Sequence, residues 1–216
     1  MRKPLIYLIT DGEMKAETFA ERSLQTLKLI EKAVEAEVSL IQIREKQLSA
    51  KMVFEFATKA ADITRNTNTK LLVNDRADIA LATGADGVHL TSKSLSAEII
   101  RASFPKNFII GVSAHTLAET EKAKLTGADF ATFSPIFATA SKAKYGTPQG
   151  TAKLREVVEA VQEFPIIALG GIDENNFCDV LRSGASGIAA IRSLSSAEKL
   201  SEIVKKILNF EIGENC

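Results

Sequence analysis

The chain has 216 residues, 45% of them hydrophobic, and its Lys plus Arg equal its Asp plus Glu at 27 each. That length buries one full core, so a single domain over 1–216 is predicted, and the balanced charge leaves no basic field for nucleic acid. The apolar run before Asp11 is too short for a signal peptide or a membrane span. Cys178 and Cys216 make no disulfide or zinc pattern, so a cytoplasmic protein with neither nucleic acid nor membrane as partner is expected.

Eight short apolar runs follow one another, each leading through a polar segment into a stretch with helical spacing. They are Leu5 to Thr10, Val38 to Arg44, Lys70 to Asn74, Gly87 to Leu90, Phe108 to Ser113, Phe130 to Phe137, Pro165 to Leu169 and Gly187 to Arg192. Runs apolar on both faces are the mark of parallel strands covered by helices, so the rhythm predicts an α/β fold, the (β/α)8 TIM barrel. Leu24, Leu27, Ile30 and Val34, and later Leu154, Val157, Val158 and Val161, form stripes that would cover its outside. Thr83-Gly84-Ala85-Asp86, Thr126-Gly127-Ala128-Asp129 and Ser183-Gly184-Ala185-Ser186 each fall between a predicted helix and the next strand, and read as stabilising turns at the bottom of the barrel. Residues from about 208 to 216 are expected to fray.

In this fold the chemistry lies at the carboxyl ends of the strands. Strand two ends Gln42-Ile43-Arg44-Glu45-Lys46, where a two-residue period places Gln42, Arg44 and Lys46 on one face, a set suited to a diphosphate if that face points inward. Strand three ends Asn74-Asp75, and Asp75 reads either as a helix cap or as a ligand for Mg²⁺ beside phosphate oxygens. The two histidines fall at the ends of strands four and five: His89 reads as a packed, hydrogen-bonded core residue and His115 as the proton-transfer candidate. Thr116 and Glu119 beside His115 have the spacing of a capping box.

The connection after strand six, through Thr139, Ser141 and Lys142, is the longest of its kind and offers hydroxyls and a cation to phosphate, with Gly and Pro residues suited to a lid. Gly170-Gly171 and Arg192-Ser193 follow strands seven and eight, where barrels of this type commonly form a phosphate cup. Glycines serving close packing are the alternative there. Small phosphorylated molecules are therefore the expected partners, and a homodimer stays open.

Taken in order, Gln42-Ile43-Arg44-Glu45-Lys46, Val73-Asn74-Asp75-Arg76, Asp86-Gly87-Val88-His89-Leu90, Gly111-Val112-Ser113-Ala114-His115, Pro135-Ile136-Phe137 with Thr139 and Lys142, and Leu169-Gly170-Gly171-Ile172 resemble the thiamin phosphate synthase family, which includes thiazole tautomerases. The resemblance covers nearly the whole chain. It implies that hydroxymethylpyrimidine diphosphate and a thiazole phosphate are joined with release of pyrophosphate. Gln42, Arg44, Lys46, Asn74 and Lys142 would then hold the diphosphate, Asp75 would bind Mg²⁺, Ser113 and Thr139 would contact substrate, and Gly171 with Ser193 would hold the thiazole phosphate. Ser94 stands where the family usually has a second metal-binding carboxylate, with Lys93 beside it, and Ser134 where the family usually has glycine. Both departures resemble the tautomerase branch, in which His115 would move the proton and no metal would be needed. A Schiff-base aldolase working through Lys46 or Lys142 and a non-catalytic thiazole phosphate binder are the readings outside the family.

Overall fold

The computed structural model describes residues 3–138 and 147–210. Its strands are β1 (Leu5–Ile9), β2 (Leu40–Ile43), β3 (Lys70–Asn74), β4 (Gly87–Leu90), β5 (Ile109–Ala114), β6 (Phe130–Phe133), β7 (Ile166–Leu169) and β8 (Gly187–Ala190). They pair in parallel in sequence order, and β8 returns to β1 to close the barrel. The helices between them are α1 (Phe19–Glu35), α2 (Ala50–Thr64), α3 (Ala77–Thr83), α4 (Ala97–Ser103), α5 (Leu117–Leu125), α6 (Gly150–Val161) and α7 (Phe177–Arg182), and α8 (Ala197–Leu208) follows β8. The predicted TIM barrel is the fold observed.

Alternate residues of each strand face opposite sides, which divides the core in two. Tyr7, Ile9, Leu40, Leu72, Phe130, Ile167 and Ala189 fill the barrel. The complementary set, including Ile6, Leu8, Ile41, Val73 and Val88, packs outward against the helices. In α6 the predicted stripe is buried at Leu154, Val157 and Val161. In α1 Ile30 is buried and Leu27 packs against the core as predicted, while Ser23 and Ala33 complete the buried face and Leu24 is exposed.

The repeated turns do close the bottom of the barrel. Gly84, Gly127 and Gly184 take φ of 75°, 84° and 89°. The aspartates that follow two of them cap strand edges: Asp86 accepts the Leu71 N–H at 2.9 Å, and Asp129 accepts the Ile110 N–H at 2.7 Å. Lys70 and Arg101 pair with these carboxylates at 3.1 and 2.7 Å.

Three expectations change. Strand six was predicted to reach Phe137 but ends at Phe133, since Pro135 has no N–H to continue the ladder. The terminal segment was expected to fray from about 208, yet Leu208 is helical and Phe210 packs edge-on against Phe177, with Arg182 over its ring. Residues 211–216 lie outside the described residues. Cys178 in α7 is disulfide-bonded, which sequence spacing did not indicate, because separation along the chain does not measure distance across the fold.

Candidate active site at the mouth of the barrel

Inward positions near the top of strands two to five carry polar side chains above the apolar plug. Gln42 is buried, and its Nε2 donates to Asn74 Oδ1 at 3.0 Å, so the two amides from neighbouring strands fix each other's orientation. Arg44 follows with the same parity, half-buried, its N–H bonded to Thr10 Oγ1 at 2.8 Å. β2 has ended by then, and Lys46 lies in a turn. The predicted two-residue alternation therefore orients Gln42 and Arg44, whereas Lys46 reaches the mouth through the turn. Glu45, between the two cations, is buried and accepts the Met14 N–H at 3.1 Å. Burial pushes its carboxyl up, against the opposing hydrogen bonds from Thr10, Met14 and Gly12. It ties the first βα loop to the end of β2.

Beside this strand end lies a cleft of about 320 Å³ between the loops after β2, β3 and β4, lined on its charged side by Glu45, Lys46, Asp75, Arg76 and Lys93. Asp75 is exposed with φ 64°, a left-handed conformation that Asp tolerates better than most residues. It does not cap α3, whose N-cap is Arg76 without a side-chain cap bond, so the structural role weighed for it from sequence is absent. Arg76 is committed to Asp78 at 2.8 Å. Desolvation and then the Arg44 charge hold the Lys46 ammonium below the usual lysine range; Asp75 opposes this and Lys93 adds to it.

Under the mouth runs a buried relay that sequence reading reached only in part. Tyr7 Oη lies 3.1 Å from His89 Nδ1, and His89 Nε2 lies 3.0 Å from Ser113 Oγ. Tyr7, His89 and Phe130 pack ring against ring at 5.6 to 6.0 Å. Burial, and secondarily the Arg44 charge, lowers the His89 pKa to about 3, so the ring is neutral at pH 7. Burial raises the Tyr7 phenol well above its usual value. The tautomer that leaves no phenolic proton stranded has Tyr7 donating to Nδ1 and Nε2–H donating to Ser113, whose own hydroxyl proton is then free for a ligand. His89 is thus the packed residue expected, and it also orients Ser113. Thr132, paired with Ser113 across β5 and β6, is fully buried and its Oγ1 has no hydrogen-bond partner among the described residues. Nothing in the sequence separates Tyr7 or Thr132 from ordinary core residues except their inward parity.

His115 is exposed at the end of β5, and its Nδ1 lies 2.8 Å from the Ser134 carbonyl oxygen. A carbonyl only accepts, so Nδ1 carries a proton, and Nε2 is the nitrogen left for proton exchange. The capping spacing is realised: Thr116 accepts the Glu119 N–H at 3.2 Å, and the Glu119 carboxylate takes the His115 N–H at 2.6 Å.

Across the mouth, Gly170 and Gly171 take φ of 109° and 68°. A Cβ on Gly171 would stand 2.8 Å from Phe137 Cβ and 2.9 Å from the Ala138 oxygen. Close packing against the loop after β6 is therefore sufficient reason for this glycine. Gly171→Ala is expected to destabilise the protein by about 2 kcal/mol or more in urea unfolding, since strain and overpacking act together. Ser193 donates to the Ile172 oxygen at 2.8 Å and joins the loops after β7 and β8. Arg192 is exposed beside it. Thr139, Ser141 and Lys142 lie outside the described residues.

The donors available for a divalent metal do not make a site. Among the described residues no three His, Cys, Asp or Glu side chains gather as ligands. Ser94, read from sequence as a ligand beside Asp75, accepts the Thr91 N–H at 2.8 Å and lies 3.2 Å from Thr91 Oγ1, closing its own turn. Glu45 is engaged with the first loop, and Asp75 faces cations. Mg²⁺ binds through carboxylates, phosphate oxygens and water in near-octahedral order, and one carboxylate among three cations does not fit it.

Eight strands closed in order, with polar side chains gathered at their carboxyl ends, define an enzyme of the (β/α)8 barrel class. The family model for thiamine monophosphate synthase matches residues 6–194, and the chain belongs to that family. A putative thiamine-phosphate synthase of Geobacter sulfurreducens is 39% identical over 189 residues, covering 88% of this chain and 85% of the relative. The thiamine-phosphate synthase of Chloroflexus aurantiacus is 35% identical, covering 94% and 90%. The solved thiamine phosphate pyrophosphorylase of Pyrococcus furiosus superposes with a TM-score of 0.76 at 31% identity, covering 95% of this chain and 97% of that one.

Proposed function

We propose that this protein is a thiamin phosphate synthase, joining hydroxymethylpyrimidine diphosphate to the thiazole phosphate. The observation that carries this reading is the set of oriented donors on adjacent strands: the Gln42–Asn74 amide pair, with Arg44 directly after it and Lys46 at the cleft. Such a set stabilises charge on a departing diphosphate, which is what a dissociative substitution requires. The pyrimidine CH₂–O bond breaks with its electron pair going to pyrophosphate, and the thiazole nitrogen lone pair closes on the methylene carbon. No general base is needed. Gln42, Arg44, Lys46 and Asn74 hold the leaving group, Ser113 contacts the pyrimidine, and Gly171 with Arg192 and Ser193 receives the thiazole phosphate. Thr139, Ser141 and Lys142 complete the site by their place in sequence. Mg²⁺, if bound, would supply charge neutralisation, but the residues present do not fit it and no step depends on it.

Aromatisation of a carboxythiazole phosphate by proton transfer is the second reading, favoured by His115, whose Nδ1 is held by the Ser134 carbonyl and leaves Nε2 for proton exchange. The deciding experiment is mass-spectrometric detection of thiamin phosphate from purified protein and both synthase substrates. Product at an enzymatic rate that survives His115→Ala within about threefold supports the synthase, because no proton is moved in that step. Absence of product with the carboxythiazole phosphate still converted, in a manner that His115→Ala abolishes, supports the isomerase. No helix among the described residues is long and apolar enough to cross a membrane. Action in the cytoplasm is read from the biosynthetic role.

A further inference from the structure

The cleft between the loops after β2, β3 and β4 holds more positive charge than its neighbours neutralise. Lys46 and Lys93 both line it, and neither forms an ion pair among the described residues. Lys93 stands on the loop just past β4, its N–H facing Thr91 Oγ1 at 3.4 Å, and its charge is felt at Lys46. Asp75, the one carboxylate of the cleft not engaged elsewhere, lines it with these cations, and the Ser94 hydroxyl is bound to Thr91. Arg44, just past the end of β2, adds its positive charge at Lys46. Ammonium groups brought together without partners repel one another, and the arrangement gains its stabilisation when a polyanion enters.

We propose that this cleft binds a diphosphate group without a divalent metal, with the Lys93 ammonium supplying, beside Lys46, the positive charge that a metal would otherwise bring. The inference rests on the synthase reading for the source of the diphosphate, but it concerns binding and is tested apart from turnover. A lysine is a point charge with three donors on a flexible stem, suited to non-bridging phosphate oxygens of varied position. Asp75 then serves to hold the cations together in the empty cleft, not to ligate metal.

The test is calorimetric titration of the full chain with inorganic pyrophosphate, in EDTA and again with excess Mg²⁺. Binding in EDTA within about threefold of that with Mg²⁺ is expected, with Lys93→Ala weakening the EDTA affinity by about tenfold or more, as loss of a charge-assisted contact does. Lys93→Arg should restore most of it, and the exposure of Lys93 makes unchanged melting of these variants the check on folding. Asp75→Asn should leave binding in EDTA equal or tighter. In Lys93→Ala combined with Ser94→Asp, binding should become dependent on Mg²⁺. The proposal is overturned if pyrophosphate binds the native chain only with Mg²⁺, if it binds under neither condition, or if Asp75→Asn abolishes binding. Metal-free pyrophosphate binding without thiamin phosphate formation would sink the synthase reading and leave this one standing; metal-dependent binding with turnover would do the reverse.

Discussion

Replacing Lys46 by alanine is expected to lower kcat/KM for thiamin phosphate formation by about 10² to 10³-fold, the usual cost of removing one preorganised group from a developing charge. The reason lies in where Lys46 sits. It leaves the turn after β2 into a cleft with Asp75 and Lys93, while Arg44 and Gln42 approach the same mouth from the strand below. The alanine variant keeps the Gln42–Asn74 pair and the Glu45 contact with Met14, neither of which uses the Lys46 side chain, so its melting temperature should hardly move. Steady-state kinetics with each substrate varied in turn provide the check. A loss in kcat larger than the rise in KM for the pyrimidine diphosphate is the expected pattern, since charge on the leaving group grows toward the transition state. Equal losses in Lys46→Ala and His115→Ala would mean that the division of the site drawn above is wrong.

The second large effect is a dependence of stability on pH that originates in the barrel interior. His89 is held neutral with a pKa of about 3, against about 6.5 for an unfolded chain. Between those values the unfolded chain binds a proton that the folded one refuses, so stability is complete above pH 6.5 and is lost progressively as the pH falls toward 3. From pH 7 to pH 5 this one residue should remove about 2 kcal/mol of unfolding free energy. Urea unfolding of the native chain and of His89→Gln at both pH values isolates the contribution. The variant should be less stable at pH 7, having lost the Tyr7 and Ser113 contacts, yet show a pH slope smaller by about 2 kcal/mol over the interval. An unchanged slope would place the acid sensitivity elsewhere and return His89 to an ordinary titrating residue.

Much of this architecture was readable from residue order because parallel strands covered by helices write an unambiguous pattern: short, doubly apolar, evenly spaced. β3 and β4 were located to the residue, and the Asp of two of the three repeated turns proved to cap a strand edge. Boundaries failed where a single backbone property decided them, as at Pro135. The site was legible to the extent that it follows strand parity, which set Gln42 and Arg44 on one face, while Asn74 and Ser113 entered only through the family resemblance; the structure bonds Gln42 to Asn74 and His89 to Ser113. Beyond the strand ends parity lapses, so the turn that carries Lys46 and the commitment of Ser94 to Thr91 had no sequence signal. Tyr7 was hidden for a different reason: an inward aromatic in an apolar strand looks the same whether its hydroxyl is idle or bonded to a histidine 82 positions away.

The loop after β6 begins and ends at one clasp. Ile136 and Phe137 donate to the oxygens of Leu169 and Gly170 at 3.0 and 2.9 Å, while on the returning side Gln149 and Gly150 donate to Pro135 and Ile136 at 2.8 and 3.0 Å. The outgoing foot is therefore pinned to Leu169 and Gly170 and the returning foot to the outgoing one, independently of whatever lies between them. Loop closure is settled by the clasp, and the cost of altering the intervening length grows only logarithmically, about 0.6 kcal/mol for a doubling. The sequence between the two feet is thereby an exchangeable part: it can be lengthened, shortened or rewritten while the barrel beneath registers almost nothing.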